Sequence, residues 1–132
     1  MNGKFVYLAG PISGCTDSEA HDWRELVKTK LGSDRCLDPM CRDFRGRIET
    51  DEDVRFIIDN DKADIDRASV ILVNAWKPGW GTGMEILHAW ERRKPLVIVV
   101  PPDKTVSPWL RYHGLVVRTV NEAVELVRGL IN

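Results

Sequence analysis

A chain of 132 residues fits one domain and is long enough to bury a real core without disulfides or metals. It is 43% hydrophobic and 30% charged, and 19 Lys plus Arg against 20 Asp plus Glu leave a formal net charge of -1. That balance is ordinary for a globular protein; it excludes a general nucleic-acid coat or an acidic-lipid binder and points to a small molecule or a protein partner.

The cysteines Cys15, Cys36 and Cys41 are odd in number and show no CxxC spacing, so neither a disulfide framework nor a zinc site is expected. The start MNGKFVYLAG has too short an apolar run for a signal peptide. The longest apolar run, residues 96–100, falls far short of the ~20 residues a membrane span needs. The expectation is a reduced, cytoplasmic protein without membrane association, forming one domain over residues 1–132.

In chain order, residues 4–9 (KFVYLA) read as a strand ended by Gly10-Pro11. After the loop GPISGCTDS, Trp23, Leu26, Val27 and Leu31 recur at helical spacing and predict a helix over about 19–31. Residues 35–37 form a brief strand stopped by Asp38-Pro39. The charged, non-periodic stretch 40–50 is long enough for a functional or mobile loop. A helix is predicted over 51–68, a continuous apolar strand over 69–75 (SVILVNA), a turn at KPGWG and a helix over 82–93. Residues 95–100 (PLVIVV) form another apolar strand. A loop containing Ser107-Pro108, a short strand over 115–118 and a helix over 120–131 complete the chain.

Strands alternating with helices imply βαβ units and a parallel sheet. The runs SVILVNA and PLVIVV lack polar alternation, as strands covered on both faces do. Ligands of such sheets bind beyond the carboxyl ends of the strands, which selects residues 10–17, 76–85 and 101–109.

Three side chains disagree with this pattern. Asp61 falls on the apolar stripe of its helix (Val54, Ile57, Ile58, Ile65, Ala68), where a carboxylate is expensive unless paired or used. It either bonds a backbone amide at the edge of the stripe or projects into a cleft with a raised pKa suited to acid–base work. Glu85 either caps its own helix through a Thr82-Gly83-Met84-Glu85 capping box or is aimed at a ligand that Gly81 and Gly83 let approach. Tyr7 is either a packed strand residue or, two positions before the strand end, a hydroxyl that reaches the cleft. Trp23 and Trp90 fit helix faces and the core, whereas Trp76 and Trp80 either pack at the core or rim or stack on a planar ring. His21, His88 and His113 show no ligand spacing.

The pieces VYLAGPISG at 6–14, NDKADIDRASVILV at 60–73 and GTGMEILHAWERRKPLVIVVP at 81–101 together resemble the nucleoside 2-deoxyribosyltransferase family, including its relatives that hydrolyse deoxynucleoside 5′-monophosphates. The resemblance covers most of the chain and implies a flavodoxin-like or Rossmann-like α/β/α sandwich with a five-stranded parallel sheet. It implies Glu85 as the nucleophile, Asp61 as the carboxyl that contacts and helps protonate the base, and Tyr7 as the residue that orients the nucleophile. By the same resemblance Gly10, Pro11, Ile12 and Ser13 offer a turn of backbone amides to a phosphate, and Ser107 reaches the 5′-phosphate across a subunit interface. From the loop and helix start themselves, Trp76, Trp80, Gly81 and Gly83 are the further residues expected to bind substrate. No metal or cofactor is implied, and a homo-oligomer, dimer or higher, is.

Ser69 stands where the family often has an aspartate, and Gly79 near an acidic residue of the transferases. Those also carry a longer C-terminal tail, so the chain is expected nearer the hydrolases. The reaction implied is retaining N-glycoside chemistry on a (2′-deoxy)nucleoside or its 5′-monophosphate, through a glycosyl ester on Glu85, with the sugar passed to water or a second base. PGWGTGMEI also resembles the PGG-x-GT-x-x-E signature of phosphoribohydrolases of the lysine-decarboxylase-like group, one residue short. A nonenzymatic nucleotide-binding module, with Glu85 as a mere helix cap, is the alternative from another class.

Overall fold

Short β-branched runs flanked by helices assemble here into a single parallel sheet. The computed structural model describes residues 3–132. The strands are Val6–Ala9 (β1), Cys36–Leu37 (β2), Val70–Asn74 (β3), Leu96–Val99 (β4) and Leu115–Val117 (β5), in the spatial order β2-β1-β3-β4-β5. Every neighbouring pair is parallel, with Tyr7 opposite both Leu37 and Ile71 and with Ile71 opposite Leu96. The five helices are Asp17–Leu31 (α1), Asp51–Arg67 (α2), Trp80–Glu91 (α3), Pro108–His113 (α4) and Val120–Ile131 (α5).

Successive strand side chains point to opposite faces, and both faces are covered. Val6, Leu8, Val70, Leu72, Val97 and Val99 pack against Trp23 and Val27 of α1 and Val124 and Val127 of α5. Tyr7, Ala9, Ile71, Val73 and Ile98 pack against Ile65 of α2 and Ile86 and Ala89 of α3. Each such aliphatic side chain, fully buried, contributes about 1.5–3 kcal/mol, which is why the strands read as unbroken apolar runs. The result is a three-layer α/β/α sandwich with flavodoxin-like strand order. Its strand order reverses between β1 and β3, and the crevice beyond their carboxyl ends is the expected ligand site. Among the described residues no helix is long and apolar enough to cross a membrane.

Several expectations need correction. The first helix begins at Asp17, two residues before the expected Glu19, because Thr16 and Glu19 form a reciprocal capping box. Leu26 is exposed on it, and its place in the buried stripe is taken by Arg24. The loop after β4 contains α4, which starts on the Ser107-Pro108 pair: Ser107 caps the helix and Pro108 supplies a preset φ at its first turn. The stretch 40–50 opens with a tight 3-10 turn over Pro39–Arg42, capped by Asp38. On α2 only Ile65 is buried; Val54 and Ile58 are each 45% exposed, so the amino-terminal half of the apolar stripe lies uncovered. Trp90 is likewise exposed and packs against Tyr112, tilted, and His113, edge to face, at the surface. The three cysteines are free thiols.

Candidate active site

Tyr7 is the middle of the site because β1 is flanked on both sides and its α2/α3 face is sealed. Its side chain is fully buried, and its hydroxyl donates a very short hydrogen bond to Oε2 of Glu85 on α3. Glu85 reaches it because α3 starts earlier than expected. Gly79, in extended conformation, is the N-cap, and the helix begins at Trp80 with no side-chain cap. Thr82 is therefore already inside the first turn, and the Thr82–Glu85 capping box does not form. The carboxyl of Glu85 is released to point across to β1.

Asp61 also has a partner other than a backbone amide. Its Oδ1 accepts from Arg42 Nε at 3.1 Å and Nη2 at 2.8 Å, and Arg42 Nη2 donates to Asp64 Oδ2 at 2.6 Å. These side chains are 13–15% exposed, so the pairs are well shielded from water. Arg42 stands at the end of the 3-10 turn that follows β2, beside β1 in the sheet order. The same loop carries Arg45, which donates to the Cys15 carbonyl at 2.9 Å and to Asp17 at 2.8 Å, fastening residues 42–45 over the β1–α1 connection.

Beneath β1 lies a second arginine. Arg24 is wholly buried and donates to the carbonyls of Ala20 (2.7 Å), Gly10 (3.0 Å) and Leu8 (3.3 Å). Asp38 lies 3.5 Å from it and 2.6 Å from Lys28, which balances its charge.

The electrostatics follow from this arrangement. Burial, reinforced by Tyr7's neighbours Glu85 and Asp61, pushes the Tyr7 phenol far above its ordinary range, so it remains a donor. Desolvation raises Glu85 to about 7; Asp61 adds to the rise, while the Tyr7 hydrogen bond, Arg24 and Arg42 oppose it. Burial also raises Asp61 above the usual carboxylate value, against the pull of Arg42. Burial lowers the Arg42 guanidinium, but its bonds to Asp64 and Asp61 outweigh that and hold it charged. Two carboxyls with raised affinity for protons therefore share a crevice with one phenol donor and one fixed cation, the inventory of acid–base and nucleophilic chemistry.

The other sequence-predicted residues divide clearly. Gly10 and Pro11 are buried, and a Cβ on Gly10 would lie 2.8 Å from the Trp23 ring and 3.2 Å from the Asn74 carbonyl, so close packing alone requires this glycine. Ile12 and Ser13 form a turn closed by Cys15 N–H to Ile12 O at 3.1 Å, with Gly14 at φ +73°. A Cβ on Gly81 or Gly83 would meet nothing within 4 Å. Packing does not require these two glycines, although each weakens the helix. Trp76 is half-buried with Lys77 over its ring at 4.9 Å, and Trp80 is 88% exposed. Ser107 caps α4, accepting from Trp109 N–H at 3.2 Å, and bonds to none of the Tyr7, Asp61 and Glu85 side chains. Arg42 and Arg24 were not among the expected site residues. The charged loop 40–50 was a signal for the first; an arginine among the apolar positions of the first helix had none.

No protein-family model and no curated protein matches the sequence. Solved structures do match the fold. A 2-deoxyribosyltransferase from Bacillus psychrosaccharolyticus superposes with a TM-score of 0.73 at 18% identity, over 90% of this chain and 89% of the other. A conserved protein from Enterococcus faecalis V583 gives 0.70 at 11% identity, over 97% and 99%. The CMP N-glycosidase BcmB of Clostridium botulinum gives 0.62 at 13% identity, over 94% and 97%. At such identities the likeness is one of fold, and the chain has the α/β/α architecture seen in a 2-deoxyribosyltransferase and in a CMP N-glycosidase.

Proposed function

We propose that the protein cleaves the N-glycosidic bond of a (2′-deoxy)nucleoside or its 5′-monophosphate by covalent catalysis. The observation that carries this reading is the direct bond from Tyr7 to Glu85 at the strand-order reversal, with Asp61 beside it. Tyr7 engages Oε2 and leaves Oε1 without a hydrogen-bond donor among the described residues, so Oε1 attacks C1′ of the sugar. The C1′–N bond breaks, its electron pair goes to the base, and Asp61 supplies the proton. The positive charge that develops on the sugar is stabilised by the Glu85 carboxylate. Water or a second base then displaces Glu85 from C1′, and Asp61 takes up the proton that the incoming O–H or N–H gives up. This is the two-carboxylate logic of retaining glycosidases.

The open space over Gly81 and Gly83 supports close approach of the sugar to the start of α3, and Trp76 and Trp80 offer rings at the same loop. In this reading the turn at residues 10–13 takes the 5′-phosphate and Ser107 assists from a second copy of the chain. The exposed Val54, Phe56 and Ile58 on α2 are consistent with such a homo-oligomer, and sedimentation at micromolar concentration tests it.

The decisive experiment is incubation with a panel of nucleosides and 5′-monophosphates, followed by assay for free base. Release by the wild type and none by Glu85→Ala supports the reading. Binding without release would make the protein a nucleotide-binding module instead. Exchange with an added second base would identify transfer, and release into water alone would identify hydrolysis.

A further inference from the structure

Among the described residues Arg42 is the one cation that bonds a site carboxyl directly, and it comes from the 3-10 turn after β2. We propose that Arg42 is a positioning residue for base departure: it occupies Oδ1 of Asp61 and ties that carboxyl to Asp64, so that Oδ2 is the oxygen that carries the proton to the leaving base. This rests on the glycosidase reading above.

The geometry carries the argument. Oδ1 of Asp61 accepts two N–H bonds, from Nε and Nη2 of Arg42, while Oδ2 has no hydrogen-bond donor among the described residues. An oxygen whose lone pairs are already engaged by a guanidinium is a poor seat for a proton, so the proton of neutral Asp61 sits on Oδ2. When it transfers, the Oδ2–H bond breaks and its electron pair stays on Asp61. The base nitrogen binds the proton with the pair released from C1′. The carboxylate that results faces Arg42 already in place, so the charge is met without rearrangement.

The groups around this carboxyl make the cation necessary. Tyr7 of β1, Glu85 of α3 and Asp64 of α2 itself are acidic; Arg42 after β2 and Arg24 of α1 are the cations that bear on Asp61 or Glu85. Arg24 is already committed to three carbonyls and Asp38. Asp64 has a second cation, Arg67 of α2, at 3.2 Å on its other oxygen, so Arg42 is the group available to balance Asp61. Three residues further on, Arg45 is fastened to Cys15 and Asp17. Arg42 Nη1 has only the Cys41 sulfur at 3.4 Å, a weak acceptor.

The test combines titration with kinetics on Arg42→Gln and, should that variant fold poorly, Arg42→Lys. Carboxyl carbon NMR, assigned with Asp61→Asn, follows Asp61 directly. Loss of the guanidinium is expected to raise the Asp61 midpoint by about one pH unit or more. Both limbs of the pH–rate profile should move to higher pH, because Glu85 loses the same cation. Base release from ordinary deoxynucleosides should fall about tenfold or more in kcat with KM little changed. On 7-methyl-2′-deoxyguanosine, whose cationic base leaves without a proton, the loss should disappear. An unmoved Asp61 midpoint, or equal losses on both substrates, overturns the proposal while leaving the glycosidase reading intact. No base release by the wild type overturns that reading, and the titration still decides whether Arg42 governs Asp61.

Discussion

The phenol of Tyr7 and the carboxyl of Glu85, 78 positions apart in the chain, share a hydrogen bond in which the buried tyrosine donates to Oε2. One donor is thereby aimed at the oxygen that must hold negative charge, in a setting where burial disfavours that charge.

Removing the donor has a definite consequence. Tyr7→Phe keeps the ring and deletes one hydrogen bond to an ionisable group, worth about 1.5–3 kcal/mol. Base release at pH 7 should fall about 10–100-fold in kcat/KM, and the acid limb should move upward because Glu85 holds its proton more tightly. An unchanged acid limb would show that the bond does not tune the nucleophile.

Glu85 ties activity and stability to pH in opposite senses. On the proposed mechanism it must be ionised to attack, so the rate should rise as pH passes about 7. Its folded-state pKa lies above the unfolded value of 4.5, so the native state binds the proton more tightly. Stability therefore declines as pH rises from 4.5 and levels off above about 7. The decline is on the order of 3 kcal/mol. Urea unfolding at acid and at mildly alkaline pH should show this loss in the wild type and not in Glu85→Gln, which should also release no base at any pH.

The glycines separate packing from function. Gly10→Ala forces a methyl to within 2.8 Å of the Trp23 ring and should cost about 1–3 kcal/mol in thermal unfolding. Gly81→Ala meets open space, so its fold should be as stable as the wild type or up to about 1 kcal/mol more stable. Its KM for substrate should nevertheless rise if the sugar approaches that turn; an unchanged KM would remove Gly81 from the substrate site.

Arg24 is a structural cation. Arg24→Ala strands three carbonyls and takes one partner from Asp38, which retains Lys28. The expected loss is about 3–5 kcal/mol, read as a lowered urea midpoint. A variant of wild-type stability would show that water or repacking satisfies those carbonyls.

Much of the layout was readable in the linear chain. Continuous apolar runs at 70–73 and 96–99 can be covered only on both faces, which dictates a parallel sheet flanked by helices. Tyr7, Asp61 and Glu85 stood out because each set a polar group against a local pattern, and such disagreements arise where a side chain has a task beyond packing. The helix starts at Thr16 and Gly79 were less legible, since a capping signal can be satisfied at more than one position. The uncovered half of α2 was illegible altogether: periodicity reports that a stripe is apolar and not what covers it.

The sequence by itself therefore determined the strand-and-helix alternation and the double-faced sheet, because these depend on short-range periodicity and on burial averaged over a run, and it singled out Tyr7, Asp61 and Glu85 as the side chains at odds with that pattern. Only the tertiary structure decided that Glu85 abandons its own helix end for Tyr7, that Arg42 rather than a backbone amide takes Asp61, and that Arg24 sits wholly buried beneath Gly10. The reason is physical. A hydrogen bond or ion pair is chosen by distance and direction in space, and residues 19, 14 and 78 positions apart meet only after the sheet has closed.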